Sequence, residues 1–432
     1  MPKSFIHRIS ILLVLLLTTL PLFSQFNTYS PYTRFGLGDL SRKGFGQNLS
    51  MGGAGIALQE GDVLNYINPA SYVARDSMSV LFDFGLNGYA NQYETLDYEN
   101  MWYNANFHHI AISAPIGKHM GMAAGLVPYS SVGYNMKQEY NNLPTGDPLD
   151  FYYSGDGGIM NFFLGTSVQF FDRVSLGVNM NYLLGNLNRN RYIDFPTRQG
   201  LAVTRADESI VVGHTLFNFG LQYKETFGER FFFVVGATYD LETNLKSSHY
   251  TNITNEFPGS GQWLSDSVYV SEVMDITRDT LANPITIPSK LGVGLSFGIP
   301  NKLVVTGDYT MQDWSNTMEG DNYKLVNAGS MNLGLEYTPD YEALRGYHKL
   351  MSYRLGGYYS NYYLQVNGQQ IKDYGITFGV GLPMKNSKTS FNFTFTLGTR
   401  GSLENNLIKE NYGIATFNVT LHDLWFFKRK FE

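Results

Sequence analysis

From Ser79 onward apolar residues recur at every second position, the period of a strand with one apolar face. In VSLGVNMNYLL, the residues Val174, Leu176, Val178, Met180, Tyr182 and Leu184 alternate with Ser175, Gly177, Asn179 and Asn181. FNFTFTLG sets Phe391, Phe393, Phe395 and Leu397 against Asn392, Thr394, Thr396 and Gly398, and LFDFGLNG and ATFNVTL repeat the arrangement. The apolar set faces outward and the small polar set inward. Applied along the whole chain, this test predicts strands near 78–90, 106–116, 120–134, 159–170, 174–185, 209–224, 230–242, 289–298, 302–312, 330–338, 351–364, 372–382, 389–400 and 410–421. These are fourteen strands, an even number, as a bacterial membrane barrel requires.

A soluble β-sandwich also alternates, and two features separate the cases. Short links (IGKH, FDR, TFGER, GIPN, PMKNSK) interleave with long polar ones at about 91–105, 135–158, 186–208, 243–288 and 313–329. Short periplasmic turns and longer outer loops produce that rhythm. TPDYEALRGYHK breaks it and reads as a small periplasmic helix. Tyr and Phe also crowd the strand ends, as in YYSNYYLQ and LWFFKRKFE, where aromatic girdles meet the two membrane interfaces. The expected fold class is all-β: a transmembrane antiparallel β-barrel of fourteen strands.

Composition sharpens this picture at four points. No mature apolar run approaches the roughly 18 residues a spanning helix needs, so any crossing uses strands. The start, MPKSFIHRISILLVLLLTTLPLFSQ, has basic Lys3 and Arg8, an apolar stretch from Ile9 to Leu20, and small Ser24 at a cleavage position. Removing Lys3 and Arg8 takes the formal charge from −6 to −8 with no basic run left, which excludes nucleic acid as a partner. The chain has no Cys and is long enough to do without disulfides.

Between signal and first strand lie about fifty residues without alternation, among them SMGGAGIAL and NPAS. Fourteen strands enclose a lumen too wide for side chains alone to fill, so such a segment fits inside as a plug. Its glycines permit close backbone approach to the inner wall, and Pro69 fixes the chain direction after Asn68. The expected division is 1–24 signal peptide, 25–77 N-terminal hatch and 78–432 barrel.

SMGGAGIAL followed by NPAS, a third strand carrying GLVPYSSVGY, and an aromatic last strand resemble the outer-membrane long-chain fatty acid and hydrocarbon transporter family (FadL and toluene transporter relatives). SPYTRFGLGDL and the ending WFFKRKFE are similar to Bacteroidetes-type members. The resemblance covers the whole mature chain. It implies a barrel closed by a hatch, with Gly52, Gly53, Gly55, Asn68, Pro69 and Ala70 as its motif. It further implies passage of a hydrophobic ligand to a site above the hatch and then sideways into the bilayer. Pro128 inside the third strand removes a ladder donor and favours a bulge, so Pro128 and nearby Gly125 are the candidate lateral opening, with Asn68–Ala70 close to it. The alternative is that Pro128 merely ends the strand.

Other chemistry is thin. His108 and His109 are adjacent and therefore expected on opposite faces. Asp147, Asp150 and Asp156 depart from the calcium-loop pattern, and GLGDLS is no dinucleotide fingerprint. No catalytic residue, metal site or cofactor is assigned. A fatty acid carboxylate needs a cation beside an apolar cleft; Arg354 and Arg34 are the candidates, each able instead to pair with Asp39 or Glu60.

The leading expectation is an outer-membrane channel, not an enzyme, for uptake of hydrophobic small molecules by a hatch-gated, lateral route. Expected partners are such a ligand, outer-membrane lipid and the barrel-assembly machinery, with the barrel a monomer. The alternative is a non-transporting barrel that presents secreted proteins at the cell surface, as in type IX secretion. An apolar inner cleft reaching a wall opening favours the first; a sealed wall under an ordered cap favours the second.

Overall fold

In the computed structural model, residues 28–76, 78–140, 148–195, 203–228, 230–256, 270–279, 285–315, 317, 319–320, 323–385 and 387–425 are described. The expected signal peptide, 1–24, lies outside them. Fourteen antiparallel strands form the wall: β1 (Ser79–Glu94), β2 (Glu99–Pro115), β3 (Met120–Tyr140), β4 (Leu149–Phe170), β5 (Val174–Asp194), β6 (Val203–Phe227), β7 (Phe231–Asp240), β8 (Lys290–Ile299), β9 (Leu303–Gln312), β10 (Ala328–Tyr337), β11 (Ser352–Val366), β12 (Gln369–Pro383), β13 (Ser390–Arg400) and β14 (Lys409–Leu424). Each pairs with the next, and β1 pairs with β14 from Ser79↔Leu424 to Glu94↔Lys409, so the sheet closes on itself.

The alternation sets the faces. Leu176, Met180, Tyr182 and Leu184 are exposed on the outer wall, whereas Ser175, Asn179 and Asn181 are buried inside. An arginine at Val178, on the outer row, is expected to cost about 2–4 kcal/mol near the bilayer midplane. Denaturant titration of the protein folded into lipid vesicles checks it, and wild-type stability in that variant would show the side chain does not face lipid. Alternation alone makes Asn179→Arg mild; the tertiary structure reverses that expectation. Asn179 accepts from Tyr72 Oη (3.0 Å) and lines no free space, so an arginine there displaces the N-terminal segment.

Several strands run well past their expected ends, because pairing continues beyond the alternating stretch. Much of the expected loops 91–105, 135–158 and 186–208 is strand, as in β4–β5 pairing from Asp150↔Asp194 to Phe170↔Val174. The long link after β7 carries a further hairpin, Ser247–Glu256 with Val270–Asp279, added to the edge of β6. TPDYEALRGYHK holds a single 3₁₀ turn, Tyr347–Lys349, in place of the expected helix.

Inward-facing residues change character along the wall. Toward the long-loop end they form an apolar cluster with Tyr32 and Leu37, including Val132, Ile159, Leu183, Leu187, Ile210 and Trp314. Toward the short-turn end they are mostly small and polar, and residues 45–73 pack against them: Phe45, Leu64, Tyr66 and Tyr72 cluster with Ala111, Ala123, Val127 and Phe163.

Candidate functional site

Residues 28–76 meet the inner wall through side chains and backbone alike. Asp308 accepts from the backbone N–H groups of Gly55 (2.6 Å) and Ile56 (2.9 Å), Thr377 accepts from Gly52 N–H (2.9 Å), and Gln222 donates to the Ile56 carbonyl (2.9 Å). Asn68 caps the 3₁₀ turn Pro69–Ala74, accepting from Ala70 N–H (3.0 Å) and donating to the Ile56 (2.8 Å) and Leu221 (3.2 Å) carbonyls. Wall glycines admit this contact. A Cβ on Gly177 would overlap the backbone of Pro69 and Ala70, and one on Gly356 that of Met51 and Gly52. Asn68, Pro69 and Ala70 therefore sit against β5 and β6, and the same turn reaches β3, where a Cβ on Gly121 would overlap the Tyr72 backbone.

The β2–β3 ladder runs only from Pro115↔Gly121 to Ile110↔Leu126. Beyond Leu126, β3 keeps its pairing with β4 through an irregularity between Pro128 and Ser130, while its other edge passes to the N-terminal segment. Asp39 and Leu40 pair with Ser131 and Ser130, and Ser30 N–H donates to the Gly133 carbonyl (2.8 Å). The result is a seam between β2 and β3. Gly125 lies just inside the paired part, opposite Ala111, so a large residue there strikes Ile110 and Phe163 before it reaches the seam.

A cavity of about 410 Å³ occupies the lumen beside the seam, and its lining includes Asn104 and Phe107 of β2 and Val127 and Pro128 of β3. Two charged groups face it. Arg42 pairs with Asp373 (2.8 Å), and Arg400 with Asp39 (3.0 Å), Asp373 (3.4 Å) and Glu410 (3.9 Å). Lys43 pairs with Asp240 (3.0 Å), and Lys290 stands in the same lining. Of the sequence candidates, Arg354 is elsewhere, near the short-turn end, bound to Glu336 (2.5 Å) and donating to Asn392 (2.7 Å). Arg34 lies over the Tyr153 ring (3.7 Å). Neither lines the cavity, whereas Lys43 and Lys290 do. The signal that could have found Lys290 and Arg400 is a charged residue at a strand end next to the long-loop side.

His108 and His109 are a correction. The β1–β2 register shifts between Gly85 and Leu86, leaving His108 as an extra residue, so the two rings meet (Nδ1–Nδ1 2.6 Å) instead of facing opposite ways. His109 is bound to Asp83 (2.5 Å) and stacked on Phe45. Asp150 is paired with Lys137 (2.9 Å), Asp156 accepts from Asn188 (3.1 Å), and Asp147 lies outside the described residues. Among the described residues no group of three His, Asp or Glu is placed to hold a metal.

At the base of the segment, Gln47 donates to both Glu60 (2.7 Å) and Glu336 (2.9 Å). Burial pushes the Glu60 carboxyl up to about 8, with Glu336 and Asp62 adding to the shift and Gln47 and Arg354 offsetting it. Its folded value exceeds the unfolded one of about 4.3, so the native state holds the extra proton. The contribution is fully present below the unfolded value and is lost as pH rises through about 8. Moving from pH 6 to pH 9 is expected to loosen residues 46–51, and Glu60→Gln to remove that response. Amide exchange checks this; an unchanged pH response in the variant would clear Glu60 of the effect.

A sequence-family profile described as BamG matches residues 5–432. No curated protein sequence matches the chain. Among solved structures it is similar to the toluene transporter TbuX of Ralstonia pickettii, at 14% identity and TM-score 0.58 over 88% of this chain and 98% of that one. It is similar to a FadL homologue of Pseudomonas aeruginosa, at 10% identity and TM-score 0.58 over 90% and 99%. It is also similar to CymD, described as a monoaromatic hydrocarbon channel, at 12% identity and TM-score 0.56 over 88% and 97%. At these identities the likeness is one of fold: a FadL-like outer-membrane barrel.

Proposed function

The chain belongs to the BamG family, and on that premise we propose that it is a closed outer-membrane barrel serving the barrel-assembly machinery, to which the family's designation points. The observation that carries the closed state is the apolar cluster at the long-loop end, where Tyr32 and Leu37 pack among inward wall residues. The cavity borders this cluster, sharing Leu183, Ile287, Trp314 and Tyr363 with it, and ion pairs hold residues 39–43 to the wall. In this reading residues 25–77 are a fixed hatch, the chain reaches the outer membrane after loss of residues 1–24, and the barrel is a monomer that catalyses no reaction. Purified protein in liposomes is expected to pass neither small polar solutes nor ions, and affinity capture from native membranes to recover barrel-assembly components. Solute flux through the wild-type protein, or capture free of those components, would refute it.

A second reading, uptake of hydrophobic small molecules, is favoured by one observation: the cavity lining reaches both sides of the seam. The relatives in fold are named for toluene and other monoaromatic hydrocarbons. In this reading the hatch releases ligand sideways at Pro128, and a fatty acid carboxylate meets Lys43 and Lys290 in place of Arg354 or Arg34. Lys290→Met is then expected to weaken binding of a fluorescent fatty acid about tenfold or more, in line with loss of a charge-assisted bond. Unchanged binding, or none in the wild type, would remove this reading.

A further inference from the structure

We propose that Phe171, at the tip of the β4–β5 turn, is an anchor that a periplasmic protein takes into an apolar pocket. This deepens the barrel-assembly reading, on which it rests for the identity of the partner but not for the anchor itself.

Arg173 N–H closes the turn by donating to the Phe170 carbonyl (3.1 Å), and between them Phe171 has φ 52° and Asp172 φ 56°. That left-handed region suits Gly and Asn and strains a bulky residue. At four other described positions of this kind the chain uses Asn: Asn301, Asn367, Asn405 and Asn406. Met78 is the other apolar residue held so, and its carbonyl accepts from Trp425 N–H (2.9 Å). No packing offsets the strain at Phe171, which is 91% exposed. Backbone strain kept without a local gain is a mark of functional positions.

The setting says what kind of surface meets the ring. Short turns of such barrels face the periplasm. The described N-terminal segment begins at the opposite end of β3, where Ser30 meets Gly133, about 40 Å of strand from Met120. Neighbouring turns brace the tip: Gln169 N–H donates to the His119 carbonyl (2.8 Å), Lys224 N–H to the Arg173 carbonyl (2.8 Å), and Arg173 pairs with Glu225 (3.1 Å). The ring is thus held out on a fixed support, which lowers the ordering cost of binding. Lipid is a poor match, because the Asp172, Arg173 and His119 side chains beside it are 84%, 58% and 57% exposed and charged groups stay in water. A second copy is a poor match too, since barrels in one membrane point their short turns the same way and two tips do not meet. A periplasmic protein fits, with a pocket for one aromatic ring inside a polar rim, the usual form of an interface hot spot. Beside the turn a cleft of about 410 Å³ runs between Asp172, Arg173, Lys224 and Glu225 of the wall and Gln59, Gly61 and Ala74 of the N-terminal segment. A partner seated on Phe171 therefore borders the base of that segment.

The test uses the full chain. Phe171→Asn is expected to raise the folded-to-unfolded ratio in denaturant about fivefold, since Asn accepts the left-handed turn. The same variant is expected to lower recovery of barrel-assembly components from native membranes about tenfold or more, and Phe171→Tyr, which keeps the ring, to preserve it. Phe171→p-benzoylphenylalanine is expected to crosslink to one of those components on illumination. Unchanged recovery with Phe171→Asn would overturn the inference, as would crosslinks confined to this chain or to a second copy. Equal or lower stability of Phe171→Asn in detergent would remove the strain it starts from, and lower stability in lipid vesicles alone would assign the ring to the membrane. If the wild type recovers no barrel-assembly component, the decision falls to its other captured proteins. One that is lost with Phe171→Asn and kept with Phe171→Tyr would sink the family-based reading and leave the anchor standing; none that depends on the ring would sink the anchor.

Discussion

Arg400→Met is expected to destabilise the folded barrel by about 3–5 kcal/mol, the usual result of leaving buried charges without their partner. Arg400 is 11% exposed and lies near three carboxylates, Asp39, Asp373 and Glu410, of which the last two are each 6% exposed. Asp373 retains Arg42, but Asp39 and Glu410 lose the cation they share. Ser30, which donates to Glu410, and Asp39, which pairs with β3, belong to the segment covering the seam. The variant should therefore show faster amide exchange at residues 30–41 as well as a lower midpoint in denaturant. Adding Glu410→Gln should recover part of the loss by removing one stranded charge. A total loss under about 1 kcal/mol, the worth of an exposed pair, would mean that water already screens the cluster.

Gly177→Leu is the second large effect. A side chain at this position enters the space held by the Pro69 and Ala70 backbone, and backbone cannot give way as a flexible side chain does. Overpacking of a filled site costs about 1–3 kcal/mol, and here it is relieved only by pushing residues 68–73 off β5. The barrel is expected to insert but to admit small polar solutes, which liposome swelling would report. Gly213→Leu serves as the comparison, since a Cβ there meets only the Tyr182 hydroxyl at 3.6 Å. Equal behaviour of the two variants would show that residues 68–73 do not fill the lumen at that level.

The sequence alone determined the wall. Period-two alternation across Val174–Leu184 or Phe391–Leu397 assigns each residue to lipid or lumen, because a strand's side chains have no third direction. Turn lengths then gave the order of the ends and the even strand number. Glycine clustering and Asn68-Pro69 also marked residues 50–71 as unlike the wall, since neither suits a regular strand. What the sequence could not decide were the strand tops and the partners inside the lumen. Where the wall leaves the lipid, pairing continues but the outward apolar set is no longer needed, so β4 and β5 ran on unseen. An inward arginine looks the same along the chain whether it faces open cavity or a carboxylate on a neighbouring strand. The β10–β11 register set Arg354 opposite Glu336, and docking of the distant N-terminal segment set Asp39 beside Arg400. The His108 bulge and the exchange of β3's edge from β2 to Asp39–Leu40 were likewise tertiary decisions, because where a ladder shifts or changes partner depends on what packs beside the strand as well as on its own pattern.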